Sequence, residues 1–378
     1  MLHILIIGGY GNFGRRLIRS LLANYSHSIT IAGRSEVKAA SFCQQLKQES
    51  GQTIRHTQLD VLTSQLHPII NQHKPDIVVN ASGPFQEQQG QRQYAVARAC
   101  ISAGCHYIDL CDSREFVAGF SDALNTDAQA AGVMLVTGAS TVPGLSTAVI
   151  DAFLLEFEKL TQIQYGISPG NQTERGAGTI SSILSYIGKP FTTLRDGEMQ
   201  KVYGWQDITR AKFGKPIGSR WMANCDIPDL DLLPARYKDV KTVEFKAGLE
   251  LTVLHIGLWL FSWLTRYSLV DDWSRYSKQL THLSEYFIEM GTDCGGMFVN
   301  LTGTDKDQKA KTVQWQIIAE NGVGPNIPVI APELVINRIA AGNIKTGAMP
   351  CIGLFTLEEF MNVARRWDIE ERVALNES

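Results

Sequence analysis

The sequence predicts an α/β protein, with a doubly wound parallel sheet followed by a second, α+β domain. Three observations carry that expectation. The first is a glycine turn set between an apolar run and a helical pattern. Residues 2–7 read Leu-His-Ile-Leu-Ile-Ile, and Leu17, Ile18, Leu21 and Leu22 recur at helical spacing. Between them Gly9, Gly11 and Gly14 spell G-x-G-x-x-G. In that motif Gly9 makes the tight turn, Gly11 lets a pyrophosphate approach the backbone, and Gly14 lets the helix pack close to the strand. The helix N-terminus then presents free N–H groups and a positive dipole end to phosphates. An ordinary glycine turn is the alternative, and the strand before and helix after weigh against it.

The second observation is alternation. Strand patterns at 28–32, 53–59, 76–80, 106–110 and 133–137 alternate with helical patterns at 36–47, 64–73, 86–103 and 116–131. With the opening strand this makes six strands in about 137 residues, the Rossmann arrangement of the doubly wound sheet. Gly104 and Gly132 sit where the third and fourth of these helices should close. The third observation is that the alternation then stops. Residues 138–144 form a loop, and 145–160 read as a helix with Val149, Ile150, Phe153 and Leu154 on one side. Beyond it, strand-like stretches at 162–167 and 198–203 mix with a helical one at 179–187, and a hairpin spans 297–302 and 312–319 around Asp305-Lys306-Asp307. The expected division is 1–145 for the nucleotide domain, 146–330 for an α+β substrate and dimerisation domain, and 331–378 for C-terminal helices returning to the first domain.

Composition fits a globular chain, at 44% hydrophobic and 19% charged, and the formal net charge of −3 gives no footprint for nucleic acid. Seven cysteines without a C-x-x-C pair offer no zinc spacing, so no metal is expected and the thiols read as reduced and cytoplasmic. A signal peptide does not fit, because the nucleotide turn begins directly after a six-residue strand. The apolar stretch 251–264 is fourteen residues long, too short to span a bilayer. It reads as a buried helix or a subunit interface, with a membrane-surface contact as the alternative.

The residues that carry chemistry follow from the parallel sheet, whose ligands lie outside the carboxyl ends of its strands. Gly9, Tyr10, Gly11, Asn12, Phe13 and Gly14 are the first cofactor group. At the end of the second strand, where an NAD site places an acid for the ribose, the chain has Arg34 and Ser35. Arg34 can fork onto a 2′-phosphate with Ser35 as an extra donor, so NADP is favoured over NAD. The alternative is a solvated Arg34 with Glu36 on an NAD ribose. Asp60 and Val61 end the third strand, at the adenine or as a cap near Ser64. Ala81, Ser82, Gly83 and Pro84 follow the fourth strand and should border the nicotinamide side.

These stretches, with Ala32-Gly33-Arg34, Gly104-Cys105-His106-Tyr107-Ile108-Asp109, Val142-Pro143-Gly144-Leu145-Ser146 and Gly347-Ala348-Met349-Pro350, resemble the saccharopine dehydrogenase (saccharopine reductase-like) family. The resemblance is good over the first 150 residues, moderate over the last 70 and loose between. It implies an NADP-binding domain covered by an α+β domain, often in a homodimer, and reduction of an imine between an amino acid and an aldehyde. Such a reduction needs a proton donor to nitrogen. Family members have Tyr-x-Asp at Tyr107 and Asp109, so Asp109 is the expected acid, with His106 and Tyr107 beside it. A helix cap is the plain alternative for Asp109. Asp112 and Ser113, the helix start at Gly144 and Ser146, and Arg175 are the expected contacts for an amino-acid-derived small molecule. The resulting expectation is a cytoplasmic NADP-dependent oxidoreductase acting in an interdomain cleft, with a non-catalytic NADP sensor or scaffold, associated with a membrane surface, as the alternative.

Overall fold

The structure is a computed structural model that describes residues 1–62, 65–88 and 90–377. Ser64, expected near the start of the third helix, and Gln89, expected within the fourth, lie outside the described residues. The chain opens β1 (His3–Ile7), α1 (Asn12–Asn24), β2 (Ser28–Gly33), α2 (Glu36–Ser50), β3 (Arg55–Gln58), α3 (Leu66–His73), β4 (Ile77–Asn80), α4 (Ala95–Ala103), β5 (His106–Asp109), α5 (Arg114–Ala118), α6 (Phe120–Ala130) and β6 (Met134–Thr137). It continues through α7 (Ser146–Phe153), β7 (Lys159–Ser168), α8 (Ala177–Tyr186), β8 (Pro190–Arg195), β9 (Glu198–Tyr203), β10 (Thr209–Lys212), β11 (Ser219–Asn224), α9 (Asp229–Arg236), β12 (Thr242–Ala247), α10 (Thr252–Arg266), α11 (Ser277–Glu285), β13 (Gly295–Thr304) and β14 (Ala310–Ala319). It ends with α12 (Ile327–Ala340), β15 (Gly347–Pro350), α13 (Leu357–Ala364) and β16 (Glu370–Glu377).

Two compact units emerge. The first is Met1–Leu145 with Pro325–Phe355; the second is Ser146–Gly324 with the chain from Thr356 onward. The first holds a seven-stranded sheet in the order β15-β6-β5-β4-β1-β2-β3, parallel throughout. Six of these strands follow the 3-2-1-4-5-6 order of the dinucleotide fold, and its switch point lies between β1 and β4. Ile4, Leu5, Ile6, Ile77, Val78 and Val79 are wholly buried, as expected for central strands covered on both faces. Arg15 and Arg16 begin the polar side of α1, while Leu17, Ile18 and Leu21 are buried.

The second unit has its own seven-stranded sheet, β10-β11-β12-β7-β13-β14-β16. Only β12 and β7 run parallel in it; the other pairings are antiparallel. The hairpin expected from 297–302 and 312–319 is β13 with β14, in register from Gly295↔Ala319 to Thr304↔Ala310. A small two-stranded sheet joins β8 to β9.

Several sequence expectations are corrected. The helix expected over 86–103 is helical only at α4, because Tyr94 takes a left-handed conformation at φ +63° and breaks the run. The tyrosine hydroxyl donates to the Phe116 carbonyl at 2.8 Å. The helix expected over 116–131 breaks at Gly119 into α5 and α6. A Cβ at Gly119 would stand 2.8 Å from that same hydroxyl. The helix expected over 145–160 ends at Phe153, since Lys159 already pairs with Thr304 on β13. A seventh parallel strand, β15, was not expected, and it pairs with β6 from Gly347↔Met134. Of the C-terminal helices expected in the first unit, α12 falls there and α13 falls in the second, which holds the chain from Thr356 onward; the chain then closes not as helix but as β16, antiparallel to β14.

Candidate active site

The glycine turn is built as a cradle. Gly8, at φ +75°, makes the tight turn, and its Cβ would stand 2.8 Å from the Ala81 carbonyl oxygen. This corrects the expectation for Gly9, which has no left-handed backbone and instead packs where a Cβ would meet Ile31 and Ile18. A Cβ on Gly14 would collide with the Gly8 carbonyl. Gly11 precedes α1 as its N-cap, and no side chain caps the helix there among the described residues. No acidic residue occupies the first turn. The N–H groups of Asn12, Phe13 and Gly14 are therefore placed for an anion at the positive end of the helix dipole.

At the end of β2 the tyrosine of the turn does a second job. Tyr10 lies against Gly33, where any side chain would collide with its ring. Its hydroxyl accepts the Ser35 N–H at 2.9 Å. Ser35 in turn caps α2, its Oγ accepting from the Lys38 N–H at 3.3 Å. The Arg34 carbonyl accepts from Gln58 at 3.0 Å, and its side chain is exposed. The turn is thus fixed through its backbone while the guanidinium faces solvent at the ribose end of the cradle. The N-cap of α3 is Gln65, and Asp60 closes its own turn, accepting the Leu62 N–H at 3.0 Å, with Val61 between them. After β4 the buried Asn80 side chain accepts the Ser82 N–H at 3.1 Å and also its hydroxyl. That holds Ser82, with Gly83 and Pro84 following, over the switch point.

Asp109 ends β5 and is wholly buried. It is not the cap of the following helix, whose N-cap is Ser113. Its Oδ1 accepts from the Cys111 N–H at 2.9 Å, the Gly138 N–H at 2.8 Å and the Thr137 hydroxyl at 3.0 Å. One carboxylate oxygen therefore ties the loop after β5 to the loop after β6. Oδ2 has no well-formed partner among the described residues. Burial pushes the pKa up to about 6, against the lowering effect of those hydrogen bonds and a weaker one from Tyr107. Tyr107 lies on the same face of β5, buried and stacked with Phe120 at 6.1 Å. Burial first, and the Asp109 charge next, raise its hydroxyl well above the usual tyrosine value.

The remaining expected residues divide. His106 begins β5, three residues and about 10 Å from Asp109. It sits at the amino edge of the sheet, where its Nδ1 accepts the Met134 N–H at 3.0 Å. Hence it is removed from the ligand edge, and the reading of His106 beside the acid is corrected. Asp112 and Ser113 stand on the loop that Asp109 anchors; Asp112 accepts from Gln86 at 3.4 Å, and the Ser113 N–H meets the Cys111 sulfur at 3.3 Å. Gly144 is packed tightly, with a Cβ there 3.2 Å from Phe355. In the second unit, the Ser146 hydroxyl donates to Asp229. Asp229 is wholly buried, and burial raises its pKa to about 7 despite hydrogen bonds from Ser146 and Tyr165. Arg175 is committed to its own unit, donating to the Asn171 carbonyl at 2.6 Å and to Ser284 Oγ at 2.9 Å. Gly8, Thr137, Gly138 and Asp229 escaped the sequence reading as site residues. Among them only Gly8, doubled with Gly9, left a signal there, while Asn80 opens the loop already expected at the nicotinamide side.

Parallel topology, the glycine cradle and a fixed arginine turn at the end of β2 define a dinucleotide-binding α/β protein. Residues 4–136 match the family described as the saccharopine dehydrogenase NADP-binding domain. Over that stretch the chain is similar to this family, and the match supports a nicotinamide dinucleotide as cofactor. No curated protein matches the sequence. Among solved structures, apo saccharopine dehydrogenase (L-Glu forming) from Saccharomyces cerevisiae is similar at 14% identity, with 100% of each chain covered and a TM-score of 0.68. At that identity the likeness shows a shared fold. A mutant meso-dapdh from Clostridium tetani with DAP matches at 13% identity over 95% of this chain and 96% of its own, with a TM-score of 0.46, which adds no argument. Family and fold together support an NADP-dependent oxidoreductase. Among the described residues no group of side chains could hold a metal ion, and no helix is long and apolar enough to cross a membrane.

Proposed function

We propose that the chain is an oxidoreductase that uses NADP in preference to NAD and moves hydride to or from an amino-acid-derived imine or carbonyl carbon. The observation that carries the cofactor preference is the turn at the end of β2. Tyr10 holds its backbone through Ser35, and the Arg34 side chain is left exposed. A guanidinium so placed pairs with a 2′-phosphate, and it stands directly after the strand, where an NAD site places its acid, with Glu36 already inside α2. The residues fit the cofactor, because every Cβ that would fill the cradle is missing. The N–H groups of Asn12, Phe13 and Gly14 would hold the pyrophosphate, Asp60 and Val61 would border the adenine, and Ala81 to Pro84 would border the nicotinamide. When bound, the cofactor would supply the hydride in its reduced form and accept it in its oxidised form.

The substrate side rests on the loops after β4, β5 and β6. Asp109 acts there as a positioning residue. Its burial and its three donors suit it to hold Asp112 and Ser113 in place, and Tyr107 packs beneath it. A donor of the proton that accompanies hydride transfer must reach the substrate, and half-buried Asp112 on that loop is the group we place there. Titration of NADPH and NADH against tryptophan fluorescence tests the cofactor reading, which predicts at least tenfold tighter NADPH. A panel of amino acids, keto acids and aldehydes, followed by NADPH oxidation or NADP reduction, tests turnover. Tight NADPH binding with no turnover across the panel would replace the enzyme with a cofactor sensor.

A further inference from the structure

His106 stands at the amino end of β5, where it closes a seam in the first sheet. The pairing of β5 with β6 is the shortest in that sheet. Its ladder has two residue pairs, Tyr107↔Leu135 and Ile108↔Val136. On either side β4 pairs with β5, and β6 with β15, over four residues each. The other three pairings are of four or five residues. The seam therefore divides the sheet into a five-strand block that ends at β5 and a two-strand block of β6 and β15. Backbone pairing this short leaves both ends of the seam to side chains.

Asp109 ties the carboxyl end. Its carboxylate accepts from Thr137 and Gly138, and its carbonyl accepts the Ala139 N–H at 2.7 Å. His106 ties the amino end. Its Nδ1 accepts the Met134 N–H at 3.0 Å, one residue before the ladder begins. A backbone N–H can only donate, so Nδ1 carries a lone pair and the ring proton sits on Nε2. Only the neutral imidazole makes this bond. A proton taken from water onto Nδ1 sets one donor against another and leaves the Met134 N–H unpaired. Burial lowers the His106 pKa below its ordinary value of 6.5, and the Asp76 carboxylate works against that. Asp76 stands just before β4. Its carbonyl accepts the His106 N–H at 2.9 Å, and its carboxylate accepts the His3 N–H of β1 at 2.7 Å. The residue before the ring is Cys105, a buried thiol, and β6 opposes it with Met134 and Leu135, which do not titrate. No other charged group among the described residues acts on the ring.

We propose that His106 is a positioning residue: its neutral ring holds β5 on β6, thereby sets the Asp109 clasp and the Asp112 loop at the far end of the strand, and lets go on protonation. The consequence for turnover rests on the oxidoreductase reading above; the latch itself does not. The lever is short. Four residues separate the two ends of β5 by about 10 Å, with two ladder pairs between them. A slip at one end therefore reaches the other. The native state prefers the neutral ring, so the latch is closed above the ordinary histidine value and opens as pH falls through the lowered folded one. Asp109 titrates over a nearby range with the opposite sign, because burial suits its neutral form. Loss of the seam in acid is thus assignable to the histidine.

Two variants separate the acceptor from its titration. In His106→Asn the side-chain oxygen still accepts the Met134 N–H and takes up no proton. In His106→Leu the acceptor is gone at every pH. Hydrogen exchange of the intact chain, corrected for the intrinsic rate at each pH, is followed over residues 107–113 and 134–138 from pH 7.5 to 5. In the unmutated chain protection there should fall about tenfold, while β1 and β2 keep theirs. In His106→Asn it should stay level. His106→Leu at pH 7.5 should match the unmutated chain at pH 5. With a substrate from the panel, kcat should follow the same acid limb and lose it in His106→Asn, with KM for NADPH unchanged. Equal protection at both pH values in the unmutated chain would overturn the proposal, as would the same loss in His106→Asn. Should His106→Leu not fold, those two chains decide. A panel without turnover would remove the oxidoreductase reading, and exchange would still decide the latch.

Discussion

The two seven-stranded sheets solve different problems. In the first, strands of four to six residues run parallel, and β1 and β4 are buried on both faces. Every strand then delivers its carboxyl end, and the loop after it, to one edge. In the second, β7, β13 and β14 are ten residues each, and β14 alternates accessible and buried positions over its first seven residues. Antiparallel neighbours send their loops to both ends, so no edge collects them. A parallel sheet concentrates loops into a site, whereas a mixed sheet makes a broad scaffold with faces to present. The same contrast appears in their buried acids. Asp109 ties two ligand-edge loops together, while Asp229 ties the start of α7 to α9.

The largest expected effect is at the cradle. Gly14→Val puts a Cβ against the Gly8 carbonyl, and NADPH affinity should fall at least 100-fold, about 2.8 kcal/mol. A titration that shows affinity within threefold of the unmutated chain would break the claim that the first sheet gathers its function at that turn. Next is the scaffold. Glu250 pairs with Arg220 at 3.0 Å, both nearly buried, and accepts the Asn171 and Thr292 N–H groups at 2.6 and 2.8 Å. Burial works to raise its pKa, but those hydrogen bonds and the Arg220 charge outweigh it and hold the carboxyl below its ordinary value. Its contribution is therefore full above the ordinary glutamate range and lost as pH falls through the lowered folded value. Glu250→Gln should cost roughly 3 kcal/mol in denaturant unfolding at neutral pH, with the cost shrinking in acid; a cost independent of pH would contradict the ion pair.

Arg34→Glu should weaken NADPH 10- to 100-fold, about 1.4 to 2.8 kcal/mol, with NADH unchanged or tighter. Equal loss for both cofactors would mean that the arginine turn shapes the cradle and does not select the phosphate. The smallest expected change in cofactor affinity belongs to the two buried acids, which pH separates. Each has a folded pKa raised above its ordinary value, Asp109 to about 6 and Asp229 to about 7. A carboxyl with a raised folded pKa favours its neutral form in the native state. Stability therefore drops as pH climbs from about 4 through the folded value, and the loss is complete above it. Asp109→Asn and Asp229→Asn should each remove that drop, of order 3 to 4 kcal/mol at most, seen as a flatter melting temperature between pH 4 and 8. Asp109→Asn should also slow turnover with little change in NADPH affinity, and Asp229→Asn should leave NADPH affinity unchanged.

The sequence by itself determined the parallel sheet, its cofactor turn and the hairpin of β13 with β14. Each is written locally, as an apolar run, a glycine pattern or a charged turn between two alternating stretches. It also held the Arg34 turn, because residue type and distance from the glycines suffice there. The tertiary structure decided what depends on partners far away in the chain. Gly-Ala-Met-Pro at 347–350 is a strand only because β6 offers it a parallel edge. β16 exists because β14 leaves one open. Tyr94 breaks one helix and sets the break in another through a hydroxyl whose partner lies 22 residues on. Most of all, the surroundings of Asp109 were invisible in its motif. A tyrosine, an isoleucine and an aspartate in series read as chemistry, and it took the fold to bury the carboxyl, raise its pKa to about 6 and bring the amides of Cys111 and Gly138 to one of its oxygens. Desolvation and hydrogen-bond geometry belong to the fold around a residue, and no local pattern encodes them.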